Sequence, residues 1–257
     1  MSYICRSDDR ADRLTGAGTQ VSYLPFSYLL LSNSPWRLAV AHAVVPSKRK
    51  PKPRWQRRKR ARPAEIVAAA LEVFVERGYE ATKLEEVARH AGVTKGTIYL
   101  YFENKEALLK AVVRETIVPA IAQGEQIVAE HRGSAADLLR RLLLGWWELI
   151  GETSLSGIPK LMMAEAANFP ELARFYYDEV VTRGQRLMGG VLERGIRDGE
   201  FRPVDVKVAV KLAMAPLVHA ASWRHSFALC TREDFDVAKY IDSHLDIFLR
   251  GIAKRRE

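Results

Sequence analysis

Cysteine is nearly absent: Cys5 and Cys230 are the only two in 257 residues. Two thiols give neither a disulfide framework nor a zinc site, and their scarcity suits a reducing cytoplasm. Enzyme signatures are missing as well. There is no glycine-rich phosphate loop, no G-x-S-x-G elbow and no H-E-x-x-H pair. Neither catalysis nor a cofactor is therefore expected. No stretch reaches the roughly 20 apolar residues of a membrane helix, and none is expected to meet a membrane. Alternating strand patterns and internal repeats are also lacking. Apolar residues instead recur at helical spacing through most of the chain after residue 62, which points to an all-α protein.

Acidic residues are absent from one place in particular. Residues 48 to 62, KRKPKPRWQRRKRAR, hold ten Lys or Arg and no Asp or Glu. The formal net charge of +9 is concentrated there, because residues 63 to 257 hold 26 basic and 28 acidic side chains. Such an arm suits a polyanion: each phosphate neutralised contributes about −0.9 to the slope of log K against log salt. Pro51 and Pro53 should keep it extended, as for arms that enter a minor groove. The other reading is a solvated tail, and removing residues 1 to 58 separates the two through the salt slope.

The stretch from Thr82 to Leu109, TKLEEVARHAGVTKGTIYLYFENKEALL, has the layout of a helix-turn-helix and the start of a supporting helix. Leu84, Val87, Ala88 and Ala91 share one face. Glu85 and Glu86 suit the positive end of the helix dipole. Thr82 with Glu85 reads as a capping box. Gly92 ends the helix in a left-handed turn, Val93 plugs the angle, and Thr94 caps a second helix from about Lys95 to Phe102. Ile98 and Phe102 would face inward, leaving Lys95, Gly96, Thr97, Tyr99 and Tyr101 outside. Gly96 permits close approach to DNA. Thr97 offers a hydroxyl and a methyl. Lys95, Tyr99, Tyr101 and Lys105 can reach phosphates, which set register. Ahead of this, Pro63 suits a first helical position. Ile66, Ala69, Ala70, Val73 and Phe74 form a core stripe that Gly78 ends.

These residues carry a resemblance. AGVTKGTIYLYFENKEALL, preceded by ALEVFVERGYEATKLEEVARH, resembles the signature of the TetR family of bacterial transcriptional regulators over about Arg60 to Thr116. Gly78, Tyr79, Ala88, Gly92, Val93, Gly96, Thr97, Tyr99, Phe102 and Lys105 fall in place. The resemblance implies that Thr97, Tyr99, Tyr101 and Lys105 contact DNA, with Lys95 and Gly96 at base edges or points of close approach. The family usually has Ser or Thr where Lys83 stands, so the usual cap is lost, and Lys83 is assigned to a phosphate instead.

The rest reads as a larger helical domain. A linking helix from Lys105 to Val118, with Pro119 near its end, precedes helices at Ala135 to Ile150, Ile158 to Ala167, Pro170 to Asp198, Pro203 to His225 and Asp234 to Ile252. Gly151 to Gly157 reads as a loop. The resemblance implies that the last two pair with their copies in a homodimer. Leu212, Ala215, Val218, Ile241, Leu245, Phe248 and Leu249 are then either interface or subunit core. A dimer would read a palindromic operator with half-sites about 34–36 Å or a multiple apart. Trp146, Trp147, Met162, Met163, Phe169, Phe175, Tyr176 and Trp223 could line an effector pocket or fill a core, and sequence names no pocket residue. Glu148, Glu152 and Glu165 are either cation-recognising or surface charges. His219, His225 and Cys230 make only a faint metal suggestion.

The domain expectation is a 1–47 extension, a basic arm at 48–59, a DNA-binding domain at 60–120 with its motif at about 83–102, and an effector-binding and dimerisation domain at 121–257. The first 47 residues have no helical period, and VSYLPFSYLLL only superficially imitates a secretory signal. The expectation is a start codon assigned too early, with Val40, Val44 or Val45 as alternatives; mass spectrometry of the native N-terminus decides this. The functional expectation is a cytoplasmic, nucleoid-associated repressor that a small-molecule ligand releases from double-stranded operator DNA. The alternative is an effector-independent architectural DNA-binding protein.

Overall fold

The computed structural model describes residues 54–231 and 235–254. All of its regular elements are helices. The only β pairing among the described residues is an isolated antiparallel bridge between Phe201 and Ala253. The first 47 residues, residues 48–53 of the arm, Pro51 and Pro53 included, and Asp234 lie outside the described residues.

Three helices build the N-terminal domain: α1 (Arg54–Arg77), α2 (Leu84–His90) and α3 (Lys95–Tyr99). The stripe of Ile66, Ala69, Ala70, Val73 and Phe74 is buried, and Leu84, Val87, Ile98 and Phe102 complete the same core. Two expectations about α1 are corrected. Pro63 lies inside the helix rather than opening it, and the arm from Arg54 onward is helical rather than extended. Arg, Lys, Gln and Ala are good helix formers, so helix continues N-terminally past the one hydrogen bond that Pro63 cannot donate.

The linking helix α4 (Lys105–Glu130) starts where expected, with the Asn104 side chain accepting the Ala107 N–H at 2.8 Å. It does not stop at Val118. It runs 26 residues through Pro119 and across the boundary drawn at residue 120. Ile117 and Gly124 are buried on either side of the proline, so tertiary packing outweighs one lost backbone bond.

The C-terminal bundle follows. It comprises α5 (Ala135–Trp146), α6 (Gly157–Glu165), α7 (Pro170–Tyr176), α8 (Arg183–Arg197), α9 (Val206–Arg224) and α10 (Val237–Ile252). Wide π-helical turns, Trp147–Gly151 and Tyr177–Thr182, extend α5 and join α7 to α8. Part of the expected loop forms a 3-10 turn, Ser154–Ser156. Asp205, not Pro203, opens α9, its carboxylate accepting the Val208 N–H at 3.1 Å. The choice between core and interface divides residue by residue. Ile241 and Leu245 are buried within the subunit. Leu212 is 58% exposed and Ala215 is exposed, while Val218, Phe248 and Leu249 are half-buried.

Candidate nucleic-acid interface and apolar cavity

The turn between α2 and α3 is fixed as its sequence suggests. Gly92 has φ +64°, a conformation that side chains resist. The Val93 N–H donates to the Ala88 carbonyl at 2.9 Å. Thr94 Oγ1 accepts the Thr97 N–H at 3.3 Å and lies 2.9 Å from Thr97 Oγ1. The capping box at α2 does not form. Thr82 is buried, and its hydroxyl donates to the Gly78 carbonyl at 2.6 Å, tying α2 to the end of α1 instead. Lys83 is the N-cap residue, without a side-chain cap, and is exposed.

The helix expected to reach Phe102 ends at Tyr99, and this changes which side chains face outward. Gly96 and Tyr99 are exposed, and Thr97 is half-buried at its edge. Leu100, which the sequence reading passed over, is 81% exposed. Tyr101 turns inward: it is half-buried against the core, its ring 6.5 Å from that of Phe102. The helical period held the signal for Leu100, since it stands four residues after Gly96 and three after Thr97.

The two lysines expected at this surface have different fates. Lys95 Nζ pairs with Glu85 Oε1 at 2.5 Å, and the hydrogen bond between them lowers the Glu85 pKa and raises that of Lys95. Both groups are fully exposed, so the pair is screened and easily exchanged for a phosphate. Lys105 is held internally. Its ammonium donates to the Tyr79 and Glu80 carbonyls at 2.6 and 2.9 Å and lies 4.5 Å from the Tyr79 ring centroid. Burial lowers its pKa, against the raising influence of Glu165 and Glu80.

Glu165 joins this turn to the C-terminal bundle. Its Oε1 accepts the Glu80 N–H at 3.3 Å, so this carboxylate has a partner within the protein. Next to it, Phe169 sits edge-on to Tyr79 at 4.7 Å. At the other end of α6, Gly157 lies against Val75 so closely that a Cβ there would overlap the valine side chain. Helix α6 is therefore anchored on the N-terminal domain at both ends.

The other side of α6 borders a cavity of about 590 Å³ in the C-terminal bundle. Its walls come from α4, α5, α6, the end of α7, α8, α9 and both π-helical turns, with Ile121, Leu142, Met163, Val180, Leu187 and Met214 among them. Wide turns of this kind are frequent at functional sites. Of the aromatic and Met candidates, Trp146, Met163 and Tyr176 line it, whereas Trp147 and Met162 belong to the core. Polar groups are few: Tyr176, Gln185, Lys211, His219 and Ser222. The contribution of Ile117, Ala120 and Gly184 had no signal in sequence, because small and apolar helix positions look alike whether they face a core or a void.

The histidines have separate partners. His219 lies beside Trp223 and Tyr240, its ring tilted to both, with centroids 5.7 and 6.1 Å away. His225 Nε2 lies 2.8 Å from the buried Ser156 Oγ. Burial first, and then Arg224 and Lys160, lowers the His225 pKa. The unfolded chain therefore takes up a proton before the folded one does. The stability from the neutral ring is intact above about pH 6.5 and declines as pH falls through the folded pKa. His225→Gln should flatten that acid loss in thermal melts between about pH 5 and 7.5. Equal acid slopes in the two proteins would contradict this placement.

The comparisons with known proteins follow the same division. Residues 66–112 match the model for bacterial regulatory proteins of the tetR family, and residues 137–251 match that for the C-terminal domain of AefR-like transcriptional repressors. The HTH-type transcriptional repressor KstR2 of Rhodococcus jostii is 30% identical over 197 residues, covering 76% of this chain and 93% of that protein. The fatty acid metabolism regulator protein of Bacillus subtilis is 28% identical over 199 residues, covering 76% and 98%. Among solved structures, FadR from Bacillus subtilis in complex with stearoyl-CoA superposes with a TM-score of 0.61 at 25% identity, covering 74% of this chain and 98% of that one. The ketosteroid transcriptional regulator KstR2 of Mycobacterium tuberculosis shares the fold, with a TM-score of 0.61 at 24% identity over 76% and 96%.

Proposed function

This chain belongs to the TetR family of bacterial transcriptional regulators, and we propose that it is a homodimeric repressor released from a palindromic operator by a large apolar ligand held in the C-terminal cavity. The family members it resembles are DNA-binding repressors and not enzymes. The observation that carries the ligand reading is the cavity itself. About 590 Å³ of mostly apolar lining is a ligand-sized void, far beyond the few small gaps of a packed core.

On the DNA side, Gly96, Thr97, Tyr99 and Leu100 form the face that enters the major groove. Thr97 and Leu100 supply apolar contact to thymine methyls. Lys83 and Lys95 reach phosphates, the latter by giving up Glu85. Tyr101 and Lys105 act from behind, holding the face in place. Tyr99→Ala should weaken operator binding roughly tenfold while leaving the thermal midpoint unchanged. Unaltered affinity in a mobility-shift titration would remove α3 from the recognition role.

Dimerisation uses α9 and α10. Val208, Leu212 and Ala215 stand at i, i+4 and i+7 on α9, all exposed, and Ile247 on α10 is 71% exposed. Such a stripe suits a two-fold interface. Lys211, Met214, Ala215 and Val218 of the same helix line the cavity, so a ligand there acts on the dimer face as well as on α6. Release follows if the ligand binds better to an arrangement whose two recognition helices no longer match the operator. The B. subtilis FadR complex supplies a suitable probe. Stearoyl-CoA should release this protein from its upstream DNA and quench the fluorescence of Trp146; no effect on either signal would argue against a lipid-like effector.

A further inference from the structure

One side chain in the cavity wall has an unused polar atom. Tyr176 ends α7 where the helix widens into the Tyr177–Thr182 turn, and it lines the cavity between Met163 and Val180 in sequence order. Its hydroxyl has no hydrogen-bond partner among the described residues, although a phenol in an apolar wall usually finds one. The side chain is half-buried rather than sealed into packing. An unpaired donor carried by the wall of an apolar void is costly in the empty protein and useful in the occupied one. Burial alone pushes the Tyr176 pKa upward, so the group stays protonated and donates.

Resting on the reading that the cavity holds the effector, we propose that Tyr176 is its specificity-determining residue: the phenol donates to a carbonyl oxygen carried by the effector's apolar body. The effector class is then a carbonyl-bearing lipid, a thioester or a ring ketone, rather than a plain hydrocarbon. A wall that merely excludes water would gain nothing from a hydroxyl at this position, and Phe would serve better. Lys211, exposed in the same lining and in no ion pair among the described residues, complements any anionic head group.

Two pairs of probes separate the sources of the carbonyl. Stearoyl-CoA is set against its thioether analogue, and 5α-androstan-3-one against 5α-androstane; each pair differs at one carbonyl. Dissociation constants are read from tryptophan quenching for the wild type and for Tyr176→Phe. In the scaffold that binds, the carbonyl member should bind the wild type about tenfold tighter than its partner, as one well-placed hydrogen bond allows. Tyr176→Phe should erase that ratio and leave the carbonyl-free member unchanged. It should also leave the melting temperature of the empty protein equal or higher, since no internal bond is lost. A carbonyl preference of equal size in both proteins, or no preference in the wild type, overturns the assignment of Tyr176 while leaving the cavity as the effector site. Failure of all four probes to quench overturns the effector reading and this inference with it.

Discussion

Gly184→Leu should give a repressor that holds its operator and no longer lets go. Gly184 lies at the cavity wall near the start of α8, and a Cβ built there meets no heavy atom within 4 Å. A leucine there should be accommodated at the cavity wall without displacing the bundle. Replacing a helical glycine also gains up to about 1 kcal/mol of helix propensity, so the melting temperature should not fall. The ligand, however, must now share its space. Forcing extra methylenes into a filled site costs about 1–3 kcal/mol, so the stearoyl-CoA concentration for half-release should rise about ten- to a hundredfold. Operator affinity without ligand should remain as in the wild type. Release at the original concentration would place the effector elsewhere.

Lys105→Met should cost about 2 kcal/mol of stability, because it removes two charge-assisted hydrogen bonds and leaves the part-buried Tyr79 carbonyl without its partner. The same substitution distinguishes the internal role from a phosphate contact. A phosphate contact would leave denaturant midpoints alone and reduce the magnitude of the salt slope by about 0.9. An internal clamp lowers the midpoint and weakens operator binding with little change in slope. The clamp also closes a route between domains. Lys105 holds the turn after α1, Glu165 accepts the Glu80 N–H from the same turn, and Phe169 packs on Tyr79. On the proposed ligand-release reading, a shift of α6 would act on the segment that positions α2, while α4 gives a second connection.

Where a local residue choice dictates geometry, the sequence was legible. Gly92, Thr94, Asn104 and the stripe from Ile66 to Phe74 each do in the structure what their chemistry requires. Legibility failed where distant packing decides. Nothing local announces that α4 passes through Pro119, that Thr82 turns to Gly78 rather than capping α2, or that α3 stops at Tyr99 and so exchanges Tyr101 for Leu100 on the outer face. The cavity was the least legible feature. Trp146 and Trp147 are adjacent in sequence, yet one lines the void and the other fills the core. The difference is the absence of a facing side chain, and it arises from many helices and both π-helical turns at once.

The account rests first on sequence-specific DNA recognition, and the most direct test is a binding titration. The purified protein is titrated onto its own upstream intergenic duplex and onto a random duplex of equal length, each at two salt concentrations. Reading of base edges by α3, as proposed, would give a preference for the intergenic duplex that survives at the higher salt, whereas affinity owed to phosphate contacts alone carries no preference. Equal affinities that collapse together as salt rises would contradict it and leave an architectural DNA-binding protein.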